Sequence, residues 1–277
     1  MSGPVLLTGA AGYIGTLLRG GLPERGHALR CLDVVPVTDT RPGEEHLVAD
    51  ATDLAAVTAA AQGASAVVHM AGISTESTWE AIAHANIDGT YVALEAARLA
   101  GVPRVVLASS NHATGMSPRV ENAQTDAQPR PDTYYGVSKV AMEALGSLYV
   151  DRYGLDVVCL RIGSALPEPR APRHLSTWLS PEDTVGLVDA ALTAPSPGFA
   201  VVWGVSANTR NWWDLSSARA LGYESVDDAE IYAEAITSAY GEPTPGTVEH
   251  DRLGGEFAGP DFAIDAVTAR AQQADPS

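Results

Sequence analysis

Lysine is almost absent from this chain. Of seventeen basic residues sixteen are arginine and one, Lys139, is lysine; against thirty-four acids they leave a formal charge of −17. Such a surface repels phosphate backbones and anionic bilayers, which argues against nucleic acid or a membrane as partner. Cysteine is equally scarce. Cys31 and Cys159 sit in separate apolar runs, too few for a disulfide scaffold and too far apart for a metal pair, so both read as small buried hydrophobes. The seven histidines are scattered without ligand spacing, and no metal is expected. No eighteen consecutive residues are apolar, which excludes a membrane-spanning helix by hydropathy. The start lacks a basic segment and its apolar run stops after three residues. It reads as a strand entering a glycine turn, not a signal peptide, and the expected location is the cytoplasm.

What the chain does have is regular alternation. With 277 residues, 45% of them hydrophobic, it can bury one large core, or one core and a small lobe. Apolar, β-branched runs at Val5–Thr8, Leu29–Asp33, His46–Ala49, Ala66–His69, Arg104–Ala108 and Val157–Ile162 read as strands. Between them, helical periodicity covers residues near Ile14–Arg25, Leu54–Gln62, Trp79–Ala100 and Tyr135–Tyr153. Strands alternating with helices give an α/β fold with a doubly wound parallel sheet, whose ligands lie beyond the carboxyl ends of the strands. The run 164–173, with three prolines and two arginines, cannot be regular helix. A helix Pro181–Ala194 and a strand Ala200–Val205 follow. The expected organisation is a core over residues 1–165, completed by about 181–205, with 166–180 and 206–277 forming a small C-terminal lobe over the substrate. From about Pro260 the chain is either a docked segment or a loose tail. Trp178, Trp203, Trp212 and Trp213 fit core or subunit contacts better than sugar platforms.

The turn after the first strand is Thr8-Gly9-Ala10-Ala11-Gly12-Tyr13-Ile14-Gly15. Gly9 permits the tight turn, Gly12 lets a pyrophosphate approach the backbone, and Gly15 allows close helix–strand packing. The helix N-terminus supplies amide donors to the phosphates. Asp33 ends the second strand 18 residues after Gly15, where a carboxylate can accept both adenosine ribose hydroxyls and repel a 2′-phosphate; this predicts NAD over NADP. Asp50 fits two roles equally, meeting the adenine edge or capping the helix Leu54–Gln62, and Asp53 is the better cap.

Tyr135-Gly-Val-Ser-Lys139 carries the chemistry, and the only lysine is in it. Residues four apart on a helix share a face with Cβ atoms about 5–6 Å apart, so ammonium and phenol can face one cavity. A free phenol, with a pKa near ~10, is a poor base at neutral pH, and a neighbouring cation favours the phenolate. Lysine can also bind the nicotinamide ribose. Ser109 and Ser110 end the fifth strand on the ligand side, where a hydroxyl can hold the reacting oxygen.

These residues resemble the extended short-chain dehydrogenase/reductase superfamily, the NAD-dependent sugar epimerases and dehydratases. The resemblance covers roughly residues 4–210: TGAAGYIG, Asp33, His69-Met-Ala-Gly72, Asn86-Ile-Asp-Gly-Thr90, LASS and YGVSK. It implies a Rossmann fold, NAD and a sugar-like substrate, and it favours Ser110 over Ser109 beside Tyr135 and Lys139 as catalytic residues. The expected cofactor contacts are Gly9, Gly12, Tyr13, Ile14, Gly15, Asp33, Asp50, Ala51, Met70, Ala71, Gly72, Asn86, Lys139 and Ile162, with Asn86 steadying the backbone.

The chain departs from the larger members of that group. After the serines it reads Asn111-His112-Ala113-Thr114-Gly115, without the acid of the dehydratases, and it is short, so a smaller substrate is implied. SSNHATG, YYGVSK, RIGSALPEPRAPRHLSTW and VVWGVSANTRNWW are similar to the uronate dehydrogenases, which oxidise C1 of galacturonate or glucuronate with NAD to the aldarolactone. Arg173 can clamp a carboxylate with two parallel hydrogen bonds. Arg170 could do the same chemically, and the resemblance favours Arg173. It also implies substrate contacts from Ser74, Ser110, Asn111, His112, Tyr135 and Ser164, although His112 also fits an ordinary loop histidine. The expected partner is a small anionic hexuronate, and by analogy a homo-oligomer pairing the helices Trp79–Ala100 and Tyr135–Tyr153. Rival readings are a sugar epimerase, another small-sugar dehydrogenase, and a non-catalytic NAD sensor.

Overall fold

In a computed structural model describing residues 3–274, seven strands form one parallel sheet. They are β1 (Val5–Thr8), β2 (Leu29–Asp33), β3 (Glu45–Val48), β4 (Ala66–His69), β5 (Arg104–Leu107), β6 (Asp156–Ile162) and, after the two-residue pair β7 (Ser164–Ala165) and β8 (Trp178–Leu179), β9 (Phe199–Gly204). The spatial order is β3-β2-β1-β4-β5-β6-β9. The order reverses between β1 and β4, and the crevice beyond their carboxyl ends is where such a sheet binds ligand.

The strands are apolar throughout because both faces are covered. Leu7, Val68 and Val106 pack on one face with Leu18 of α1 (Tyr13–Gly21). Their neighbours Leu6, Val67 and Val105 pack on the other with α2 (Leu54–Ala61). The expected helix Trp79–Ala100 is interrupted: α3 (Trp79–Ile82) passes through a π-helical stretch, Ala83–Asp88, into α4 (Gly89–Ala100). The sequence pattern carries no mark of it. Helix α5 (Tyr134–Tyr153) holds the Tyr–Lys motif, and the short α6 (His174–Thr177) and α7 (Pro181–Thr193) follow. Helix α1 stops at Gly21 rather than Arg25, because Pro23 cannot donate and opens a 3₁₀ turn, Pro23–Arg25.

The four tryptophans doubtful as sugar platforms are core residues: Trp203, Trp212 and Trp213 cluster with Leu215 and Leu253, and Trp178 packs with Leu175 and Ile236. Of the segment after Pro260, the described residues are docked at least through Phe262, and 275–277 lie outside the described residues. The Phe262 ring stacks on Phe257 at 3.9 Å, and a helix spans Ile264–Ala274.

Arg19 is wholly buried under the segment after β2, its guanidinium forked onto Glu44 and paired with Asp39. Cys31 and His46 lie beside Glu44, with potential ligand atoms within 4.8 Å of one another. Glu44 already accepts from Arg19 and from the Arg41 amide, so the cluster is an ion-pair network in which a further cation would meet a guanidinium. Among the described residues no helix is long and apolar enough to cross a membrane.

Candidate active site

The dinucleotide end is built by close backbone approaches. Gly9 has φ +73°, and a Cβ there would come 2.6 Å from the Ala71 amide; one at Gly15 would come 2.1 Å from the Gly9 carbonyl. A Cβ at Gly12 would meet little but the Gly9 carbonyl at 3.3 Å and would intrude on the cavity it lines. Helix α1 begins at Tyr13 with no side-chain cap, so its first amides are left for an anion. Both Asp33 oxygens accept backbone amides, from Ala11 (2.9 Å) and Val35 (3.0 Å), which fastens the glycine turn to the end of β2. Asp33, Asp50, Ala51 and Met70 line one hollow. Asp53 caps α2, while Asp50 bonds Thr52 and faces the hollow. Donors, shape and acid placement fit NAD.

Asn86 stands apart from the expected contacts. It is 1% exposed and spends its amide on the Ile73 N–H (2.8 Å), the Ile73 carbonyl (3.0 Å) and the Ser138 hydroxyl (3.0 Å). It braces the wall carrying Ala71, Gly72 and Ser74 and does not face the cofactor hollow. The π-helical stretch sets its position, as such bulges do at functional sites.

Tyr135 is the second residue of α5, whose first three amides are all satisfied. Glu76, buried in the Ser74 loop, accepts from the Tyr134 (3.1 Å) and Tyr135 (2.8 Å) amides, and the Thr133 hydroxyl accepts from Gly136. Burial pushes the Tyr135 phenol up to about 12, with the Ser110 hydroxyl pulling it down and Asp132 pushing it up. Burial brings Lys139 down to about 8, opposed by Cys159 and Glu143. The expectation that the ammonium by itself acidifies the phenol needs correction. Desolvation dominates, and Lys139 Nζ donates to the Ala108 carbonyl at 2.7 Å rather than to the phenol. Behind it, Glu143 forks onto Arg161 (2.8 Å for both bonds) and accepts from Ser109. Both serines line the cavity, but the Ser109 hydroxyl is committed to Glu143, which leaves Ser110, bridged to Ile162, as the one whose hydroxyl is not spent on that carboxylate.

The same cavity, about 690 Å³, runs from Gly9 past Met70 and Ile162 to Ser74, Ser110, Asn111, His112, Tyr135, Lys139, Ser164 and Arg173. The two arginines differ in placement: Arg170 is exposed, its amide donating to His174, while Arg173 lines the cavity. Arg173 is also a staple. It donates to the carbonyls of Glu249, Arg252 and Leu253. A guanidinium has five N–H donors, so at least two remain for a carboxylate. Burial pulls Arg173 down to about 10, with Glu249 and Glu256 opposing; it stays charged at neutral pH. Asn111 donates to the Leu253 carbonyl (2.8 Å), and Ser164 shares a hydroxyl bond with Thr177. His112 bonds Asp132 through Nδ1 (2.7 Å) and stacks on Phe257 at 4.1 Å.

Sequence reasoning missed Glu76, Asp132 and Phe257. Thr133 before an apolar helix was a readable cap signal. Nothing in the pattern marked a distant loop acid as its companion, or a C-terminal phenylalanine as part of the site.

The NAD dependent epimerase/dehydratase family profile matches residues 5–192. The uronate dehydrogenase of Pseudomonas putida is 40% identical over 257 residues, covering 92% of this chain and 95% of that protein. The crystal structure of uronate dehydrogenase from Agrobacterium tumefaciens superposes with a TM-score of 0.87 at 42% identity, covering 92% and 96% of the two chains; a tyrosine-to-alanine variant of it has been solved with NAD. Glucuronic acid dehydrogenase from Chromohalobacter salexigens gives a TM-score of 0.89 at 39% identity, covering 95% and 100%. With its glycine turn, braced cofactor wall and Tyr–Lys helix, the chain belongs to the NAD-dependent epimerase/dehydratase family, among the uronate dehydrogenases.

Proposed function

We propose that the chain oxidises C1 of a hexuronate, galacturonate or glucuronate, to the aldarolactone with NAD. The observation that carries this reading is that one cavity holds Tyr135, Ser110 and Lys139 together with Arg173. It pairs proton-transfer chemistry with a carboxylate clamp in a protein of charge −17. Its likeness to uronate dehydrogenases over nine-tenths of its length supports the substrate class.

Arg173 holds the substrate carboxylate, aided by hydroxyl contacts from Ser74, Asn111, His112 and Ser164. Ser110 steadies the C1 oxygen. Tyr135 takes the C1 hydroxyl proton as the C–H electron pair departs, leaving the lactone carbonyl. NAD, when bound, accepts that hydride. Lys139, held by the Ala108 carbonyl, would bond the nicotinamide ribose. Its charge and that of the nicotinamide together favour the phenolate that burial opposes. The segments around 166–180 and 206–277 cover the substrate as a small lobe. The reading includes a cytoplasmic enzyme and a homo-oligomer joined through α4 and α5, whose Tyr91, Leu99, Leu148 and Tyr153 are exposed.

The test is to mix protein, NAD and galacturonate and follow NADH absorbance. Stoichiometric NADH is expected. An epimerase, which returns its hydride, gives no net NADH and overturns the reading. A panel with glucuronate, the neutral parent sugars and UDP-sugars then fixes the substrate.

A further inference from the structure

The cavity is bordered by a buried carboxylate that the reaction does not use. Asp132 precedes the cap of α5, and its side chain has no solvent exposure. Three segments leave room for it by having no side chain. A Cβ at Gly115 would come 1.7 Å from its Oδ2, one at Gly254 1.9 Å from the same atom, and one at Gly136 2.9 Å from Oδ1. It accepts from the Thr133 hydroxyl at 2.9 Å and meets His112 Nδ1 at 2.7 Å.

Burying a carboxylate is unfavourable unless it is bonded, so the position calls for a reason. An ionised carboxylate only accepts hydrogen bonds; Nδ1 therefore carries a proton, and Nε2 is the nitrogen left over. In the neutral ring Nε2 is then an acceptor. The ring cannot easily turn away, since Phe257 stacks on it at 4.1 Å with 27° between planes and Tyr135 meets it edge-on at 5.7 Å. His112 lines the cavity with 14% of its side chain exposed, and Nε2 has no hydrogen-bond partner among the described residues.

We propose that Asp132 is a positioning residue that fixes the tautomer and orientation of His112, so that Nε2 accepts a hydrogen bond from a substrate sugar hydroxyl. The proposal deepens the hexuronate reading and rests on it for the identity of the hydroxyl, but the tautomer itself can be read without any substrate. The charged groups lining the cavity with His112 are Lys139 on α5 and Arg173, Glu249 and Glu256 on the cavity wall, and the Tyr135 phenol meets its ring.

Two measurements test it. In ¹⁵N-histidine spectra of the unaltered protein, with the His112 signal assigned by its loss in His112→Ala, the ring should be the Nδ1–H tautomer, and Asp132→Asn should change that state. An Nε2–H ring in the unaltered protein overturns the proposal whether or not the protein oxidises uronates. In kinetics with galacturonate, Asp132→Asn should lower kcat/KM about tenfold, the cost of one lost hydrogen bond, with NAD affinity within about twofold. In a His112→Ala background the same change should have almost no effect. Equal losses in both backgrounds would make Asp132 merely structural and overturn the proposal.

Discussion

The Lys139 ammonium lies 5.2 Å from the centre of the Tyr135 ring and donates a hydrogen bond to the Ala108 carbonyl rather than to the phenol. The lysine is thereby held at a fixed height on α5, with its charge beneath the ring. That arrangement is unfavourable for folding, because it buries a cation with no carboxylate bonded to it.

The cost should be measurable. Burial brings Lys139 down to about 8 in the fold, against 10.5 for an ordinary lysine. Between those values the unfolded chain binds the proton that the folded chain has lost, so stability rises with pH across that window and the full penalty applies below it. Lys139→Met should therefore melt a few degrees higher than the unaltered protein at pH 7, with the gap narrowing from pH 8 to 10, while turnover is lost. Thermal melts of both proteins across that range check this. A gap that widens with pH would contradict it.

Tyr135→Phe removes the proposed base and leaves the ring packing in place. The rate with galacturonate should fall about 10²–10⁴-fold, the usual worth of a positioned acid–base group. NADH affinity, followed by fluorescence titration, should stay nearly unchanged.

Arg173 staples the Glu249–Leu253 segment and is the proposed carboxylate clamp, and substitutions separate the two roles. Arg173→Ala should raise KM for the hexuronate about tenfold or more through loss of a charge-assisted clamp, and should also loosen the segment Glu249–Leu253, whose carbonyls it holds. Arg173→Lys keeps the charge but not the planar fork, so KM should recover poorly. Kinetics and limited proteolysis near residue 250 read the two effects independently.

Asn86→Ala strips the Ile73 amide of its buried partner and should cost about 2 kcal/mol or more. Denaturant unfolding measures this. NAD affinity should fall with it, since the Ala71–Gly72 wall loses its brace.

Much of this was legible along the chain. Strands β1, β2 and β4 run over the residues their apolar patterns mark, because a strand covered on both faces has a local signature. The glycine turn and the four-residue Tyr–Lys spacing are likewise local, since each depends on backbone geometry within one or two turns. The interruption at Ala83–Asp88 was not legible, because no proline or glycine stands within AHANID to mark it.

The parallel sheet, the glycine turn and the Tyr–Lys spacing were written along the chain, because all of them follow from periodicity and spacing over short stretches. Packing alone brought Glu76 to the first amides of α5, Asp132 behind His112, and Asn111 and Arg173 to the one carbonyl of Leu253. Those contacts join residues far apart along the chain, and a buried polar group takes whatever partner the packed loops bring to it, which no local pattern encodes.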